Sequence, residues 1–214
     1  MTRLTKIYQI KNDHAFCNMV PTDPNFDTAQ LLRFRADPSE PFPLLSMKPI
    51  PSEEENEEYR GRCMAECFLL YGLSFLMLSA RAATALRDVL EAYGQLCVVE
   101  TPLGDYFACG RSKVINCLDY INSEIEYQYS MTKRTKLPRD IKRYGFDVQA
   151  IGDTAVFEIP EFPVTKLFCS DAFVTTYTGN KLTGLTFEMV FPAVDERHAI
   201  QQKYLRKRRR GKLQ

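Results

Sequence analysis

The chain has 214 residues, 45% of them hydrophobic and 12% aromatic, with 28 Lys and Arg against 27 Asp and Glu for a formal charge of +1. That length, with 14 Phe and 11 Tyr, is enough to bury a sizeable core and excludes a disordered chain. Near-neutrality is a cancellation, because residues 1–200 sum to −6 and residues 201–214 to +7.

Residues 3–10, with Leu4, Ile7, Tyr8 and Ile10, form an expected first strand. The amino terminus has no apolar run of signal-peptide length, and the apolar run 67–78 is too short to span a bilayer. Both point to a cytosolic protein. Seven of the 12 prolines fall between Pro21 and Pro51, so this stretch is expected to be irregular, with short extended pieces at 31–34 and 44–47. Ser52 followed by Glu55 has capping-box spacing, and the acidic run that follows suits a helix amino terminus. A helix is therefore expected to about Tyr71, its later half facing the core through Cys63, Met64, Cys67, Phe68 and Leu70.

Next comes a unit that occurs twice. Residues 73–78 read as a buried strand, and Ser79 caps a helix with Ala83, Leu86, Leu90 and Tyr93 on one face. Gly94 ends that helix and residues 96–99 resume a strand. Near the carboxyl end, 164–169 is extended, Ser170 caps a helix over 171–178, Gly179 stops it, and 185–191 is a strand. Between the units, residues 101–104 read as the turn of a hairpin. Strands are expected at 114–118 and 155–159, with the basic segment 133–143 (Lys133, Arg134, Lys136, Arg139, Lys142, Arg143) as an exposed loop around Pro138. The fold class is α+β: a mixed or largely antiparallel sheet with a few packed helices, containing two similar strand–helix–strand units. Residues 1–200 are expected to form one globular domain, and residues 201–214 a disordered basic tail.

The cysteines, Cys17, Cys63, Cys67, Cys97, Cys109, Cys117 and Cys169, are odd in number and lie in apolar sequence, which reads as reduced core thiols. A cysteine hydrolase needs a histidine beside a thiolate, and only His14 and His198 are present. Cys63 and Cys67, four apart, have no second pair to complete a metal site, and buried packing explains them better. Ser79 and Ser170 lack the glycines of a nucleophile elbow. No phosphate-binding glycine loop stands between a strand and a helix. No catalytic residue, cofactor or metal is therefore assigned. Two charged runs remain. Glu53, Glu54, Glu55, Glu57 and Glu58 offer an acidic patch to a basic partner. Arg206, Lys207, Arg208, Arg209 and Arg210 offer phosphate contacts to a nucleic acid.

Several strings occur in a recognisable order: 76–81 (LMLSAR), 98–100 (VVE), 104–107 (GDYF) and 114–120 (VINCLDY) with Ser123, followed by 155–159 (AVFEI), 167–173 (LFCSDAF) and 182–187 (LTGLTF). Over about residues 73–191 the chain resembles a bacterial family first catalogued as a domain of unknown function and later grouped with the immunity proteins of polymorphic toxin systems. Where an aspartate often opens the middle motif, this chain has Asn116, while Asp119 and Ser123 match. The resemblance implies a protein without catalysis that protects its producer in interbacterial competition by binding a cognate toxin, with Asp119 joining the candidate partner-binding residues. An acidic body suits a basic effector such as a nuclease. The alternative is a nucleic-acid-binding accessory protein that uses the basic tail.

Overall fold

The structure is a computed structural model that describes residues 6–37, 40–49, 62–70, 73–91, 93–110, 113–132, 134–162 and 165–192. In chain order these begin β1 (Ile7–Asn12), β2 (Met19–Pro21), α1 (Ala29–Ala36), β3 (Met47–Pro49), β4 (Cys67–Leu69) and β5 (Leu76–Ser79). Helices α2 (Ala80–Ala85) and α3 (Arg87–Leu90) lead to β6 (Gln95–Val99), β7 (Tyr106–Gly110), β8 (Glu124–Ser130) and β9 (Thr135–Arg143). The chain continues through α4 (Val148–Ile151), β10 (Val156–Phe157), β11 (Leu167–Ser170), α5 (Asp171–Gly179) and β12 (Leu185–Phe191). The architecture is α+β, and every pairing between named strands is antiparallel.

Two four-stranded sheets dominate, ordered β4-β5-β7-β6 and β10-β11-β1-β12. They are built alike. In each, a strand, a helix and a second strand (β5 to β6, β11 to β12) flank a central strand antiparallel to both, and a short strand pairs outside the first. The central strand is β7, next in sequence, in one sheet and β1, from the amino end, in the other. The duplicated pattern in the sequence thus corresponds to one topology used twice, with the central strand supplied from opposite directions along the chain.

Side chains alternate between the two faces of each sheet. Leu76, Leu78 and Cys109 of the first sheet and Leu167, Cys169 and Ile10 of the second meet α2, α3 and α5 in one shared core. The opposite face of the first sheet, with Phe68, Met77 and Ala108, packs on Leu31 and Phe34 of α1 and on Met47. The opposite face of the second, with Ile7, Phe157 and Phe168, packs on Ile115, Tyr144 and Phe146. Buried on both faces, these strands are expected to read as continuous apolar runs.

That explains one departure from expectation. Residues 67–69 are strand β4 and not the end of a helix: Cys67 and Leu69 face the shared core and Phe68 the other side. The capping-box segment 52–58 lies outside the described residues. Residues 31–34, expected to be extended, belong to α1, where the i, i+3 spacing of Leu31 and Phe34 buries both. Residues 114–118 make only isolated bridges, Val114 to Glu158 and Leu118 to Phe146. The 96–109 hairpin formed, with Gly104 at φ +101° in its turn. Ser79 caps α2 by accepting from Ala82 N at 3.2 Å. Ser170 holds the corresponding position before α5 without a side-chain cap bond.

Candidate partner-binding surface

Between β7 and β10 the chain leaves the two sheets and builds a hairpin and a groove. The basic segment expected to be a loop is strand β9, paired with β8. Pro138 is tolerated because the register slips there: Glu126 pairs with Asp140 and Tyr127 with Pro138, leaving Arg139 as the extra residue of a bulge in a two-stranded ribbon.

The base of the ribbon is tied down. Ile141 is buried and Ile125 partly so against the second sheet's outer core. Ser123 and Gly145, flanking the two strands, are stitched by Gly145 N donating to Ser123 Oγ at 2.9 Å. Gly145 suits that contact, since a Cβ there would stand 3.0 Å from the Asn122 backbone. Lys166, with only 19% of its side chain exposed, donates to Asp140 at 2.8 Å and to the Tyr144 hydroxyl at 3.1 Å, and stands 4.4 Å from the centre of the Phe162 ring. Burial disfavours its ammonium, but the bonds to Asp140 and Tyr144 outweigh burial and raise its pKa. Lys142 and Glu126 add an exposed cross-strand pair at 2.6 Å.

Beyond this anchored base the described residues leave the ribbon uncovered. No described residue from 124 to 140 is buried, and Tyr127, Tyr129 and Met131 are 51%, 60% and 81% exposed. Among the described residues, seven of the twelve exposed large hydrophobic ones, Val114, Tyr120, Ile121, Tyr127, Tyr129, Met131 and Val148, fall within residues 114–148. That concentration makes this part of the chain the candidate interaction surface.

At the foot of the ribbon lies a groove of about 730 Å³ lined by residues 116–121 and 146–149. Its two carboxylates are committed to the backbone. Asp119 Oδ1 accepts from Ile121 N and Asn122 N at 3.0 and 3.1 Å, and Oδ2 accepts from Asn122 Nδ2 at 2.6 Å. The Asn122 bonds, side chain first, hold its pKa below the ordinary value. Asp147 Oδ1 caps α4 through Gln149 N and Ala150 N. The Tyr120 hydroxyl donates to Glu161 Oε1, a bond that, with burial, pushes the phenol up to about 12. Cys117 in the floor is driven up to about 12 by desolvation and then by Glu161 and Asp147, so it stays a thiol and not a nucleophilic thiolate. Burial likewise raises Cys17, Cys67 and Cys169.

Of the sequence-predicted site residues, Asp119 shapes the groove wall, and Asn116 lines the same groove. Glu53, Glu54, Glu55, Glu57 and Glu58, and Arg206, Lys207, Arg208, Arg209 and Arg210, lie outside the described residues. Cys63 and Cys67 do not share a helix face: Cys67 is buried in β4 and Cys63 is exposed. Among the described residues no three His, Cys, Asp or Glu side chains gather to hold a metal, and no helix is long and apolar enough to cross a membrane. Sequence reasoning missed the aromatic strand β8, whose signal is the alternation of Ile125, Tyr127 and Tyr129 with Glu124, Glu126 and Gln128.

The fold and surface define an α+β protein that presents an anchored, uncovered hairpin beside an open groove. Residues 98–191, from within β6 to the end of β12, match the model of an immunity protein family, Imm11. No curated protein matches the chain. The matched span contains the hairpin, the groove and three strands of the second sheet, and it lies within the 73–191 stretch whose strings resemble immunity proteins of toxin systems.

Proposed function

We propose that this protein is a cytosolic immunity protein that neutralises a cognate bacterial toxin by binding it directly, without a reaction of its own, in competition between bacteria carrying polymorphic toxins. The observation that carries the reading is the match of residues 98–191 to an immunity protein family. The chemistry of the groove supports a non-catalytic role: its carboxylates are spent on turns and caps, and its cysteine is held as a thiol. A wide, shallow surface with exposed aromatic residues suits macromolecular docking better than enclosure of a small substrate. Residues 1–200, as one body of net charge −6, favour a basic effector such as a nuclease through long-range attraction. The tail of residues 201–214 is not needed for this activity.

Co-expression tests it. The chain, with or without residues 201–214, is expected to relieve the toxicity of the neighbouring gene's product and to copurify with that product after its catalytic residues are inactivated. Absence of both protection and copurification refutes the proposal.

A further inference from the structure

Resting on the immunity reading, we infer that the outer half of the β8–β9 hairpin is the toxin-contacting element, and that it enters a concave, carboxylate-lined face of the toxin. Three observations carry this. The first is charge. Residues 127–139 contain four basic side chains (Lys133, Arg134, Lys136 and Arg139) and no acidic one, on a body whose first 200 residues are net −6. A local basic patch on an acidic protein is matched by a local acidic patch on its partner, even where the two proteins as wholes attract through the opposite signs.

The second is composition. Tyr127 and Tyr129 stand two apart on β8, and their register partners on β9 are Pro138 and Lys136. Tyrosine and arginine are the residue types that dominate binding hot spots, because each brings large contact area together with a polar group. Here these large side chains are exposed and not folded into the core.

The third is preorganisation. A lone two-stranded hairpin is marginal in water. This one is held at its root by Ile141, by the Ser123–Gly145 stitch and by Lys166 on Asp140. An element fixed at its base and bare beyond it makes contacts at a low ordering cost. Being convex, it fits a cleft. The groove at its foot adds Tyr120 and Ile121, both exposed, just before β8 begins.

The test measures binding of the inactivated product of the neighbouring toxin gene to the full chain, to Tyr129→Ala, to the double variant Lys136→Glu with Arg139→Glu, and to Leu103→Ala, an exposed apolar residue on the β6–β7 turn, as a control. Tyr129→Ala is expected to weaken binding on the order of 30-fold, as for a hot-spot residue, and the charge reversals by at least as much. Leu103→Ala is expected to bind as the unaltered chain does. Circular dichroism melts confirm folding, since all the substituted side chains are exposed. Equal binding by the hairpin variants overturns the inference and leaves the immunity reading standing. Failure of the unaltered chain to bind overturns both. A gel shift with single-stranded RNA and DNA provides the remaining arm. Nucleic-acid binding that the reversals abolish, with toxin binding intact, assigns the hairpin to nucleic acid and overturns the inference.

Discussion

Gly184, immediately before β12, is a point of close approach between the two sheet units, and substituting it tests whether that approach holds the fold together. Its φ is +101°, and a Cβ built on it would lie 2.2 Å from the Cys67 carbonyl oxygen and 2.5 Å from Ala65 Cβ. The neighbouring backbone is also committed: Cys67 N donates to Thr183 O at 3.0 Å and Asp13 N to Gly184 O at 2.9 Å. The strand cannot simply step back without losing these bonds. Gly184→Ala therefore combines left-handed strain of about 1–2 kcal/mol with an overlap against backbone of about 1–3 kcal/mol. Gly104 has the same φ of +101° with nothing within 4 Å of its Cβ position, so Gly104→Ala reports the strain alone. Urea denaturation of both variants separates the two contributions. Gly184→Ala is expected to lose about 2–5 kcal/mol, which for a chain of this size is roughly 4–20 °C in Tm. Gly104→Ala is expected to lose about 1–2 kcal/mol. Equal losses would refute the claim that the sheets are in contact through Gly184.

Lys166→Met removes the bond to Asp140 that moors β9. Hydrogen exchange over residues 125–142 is expected to speed up, with a global stability loss of only about 1–2 kcal/mol. Ser74 Oγ donates to Glu158 Oε1 at 2.8 Å, both side chains being buried, across 84 residues and between the two sheet units. Ser74→Ala is expected to cost about 1–3 kcal/mol in denaturant unfolding, because it removes a donor from a buried carboxylate. The Arg81 guanidinium bonds both oxygens of Glu66 at 2.5 and 2.6 Å and holds that carboxyl below its ordinary 4.5. A depressed folded pKa means stability that is present above pH 4.5 and lost as the pH falls through the folded value. Stability measured between about pH 5 and 3 is expected to fall less steeply in Glu66→Gln than in the unaltered chain.

The legible parts of the sequence were those governed by local rules. Ser79, the helix of 171–178, the strand of 185–191 and the 96–109 hairpin follow from caps, periodicity and turn chemistry, and they stand where expected. Burial on both faces defeated the same rules at 67–69, because an apolar run between two layers carries no alternation to separate strand from helix. The density of prolines concealed α1, since Leu31 and Phe34 lie in a proline-free stretch long enough for two turns. The hairpin was concealed by its charges and Pro138, which read as loop until the bulge at Arg139 accounts for both. Asp119 was singled out by resemblance, and its place in the structure is a turn whose backbone amides its carboxylate holds. The central strand of the second sheet is β1, separated from β11 by more than 150 residues, and no local pattern announces such a pairing.

This arrangement separates what holds the protein together from what it presents. Each large sheet has one face on the shared helical core and the other on its own outer cluster, so nearly every position in β5, β7 and β11 is constrained by packing on both sides. Changing a contact there alters the core, where a lost methylene is already felt. The hairpin obeys a different rule: its root, at Ile125, Ile141 and Asp140, is packed or bonded to the body, while no described residue from 127 to 139 is buried. Residues 127–139 are free to vary in charge and aromatic content at little cost in stability, because surface substitutions away from packed groups are usually within about 0.5 kcal/mol. Under the proposed immunity function, the protein must keep its fold while its contact surface follows a changing toxin. A moored hairpin satisfies both demands, and replacing residues 127–139 by those of a relative is expected to redirect toxin specificity without lowering Tm. A transplant that folds and leaves specificity unchanged would place recognition on the sheets or the groove, and one that unfolds the protein would refute the claim that residues 127–139 vary at little cost in stability.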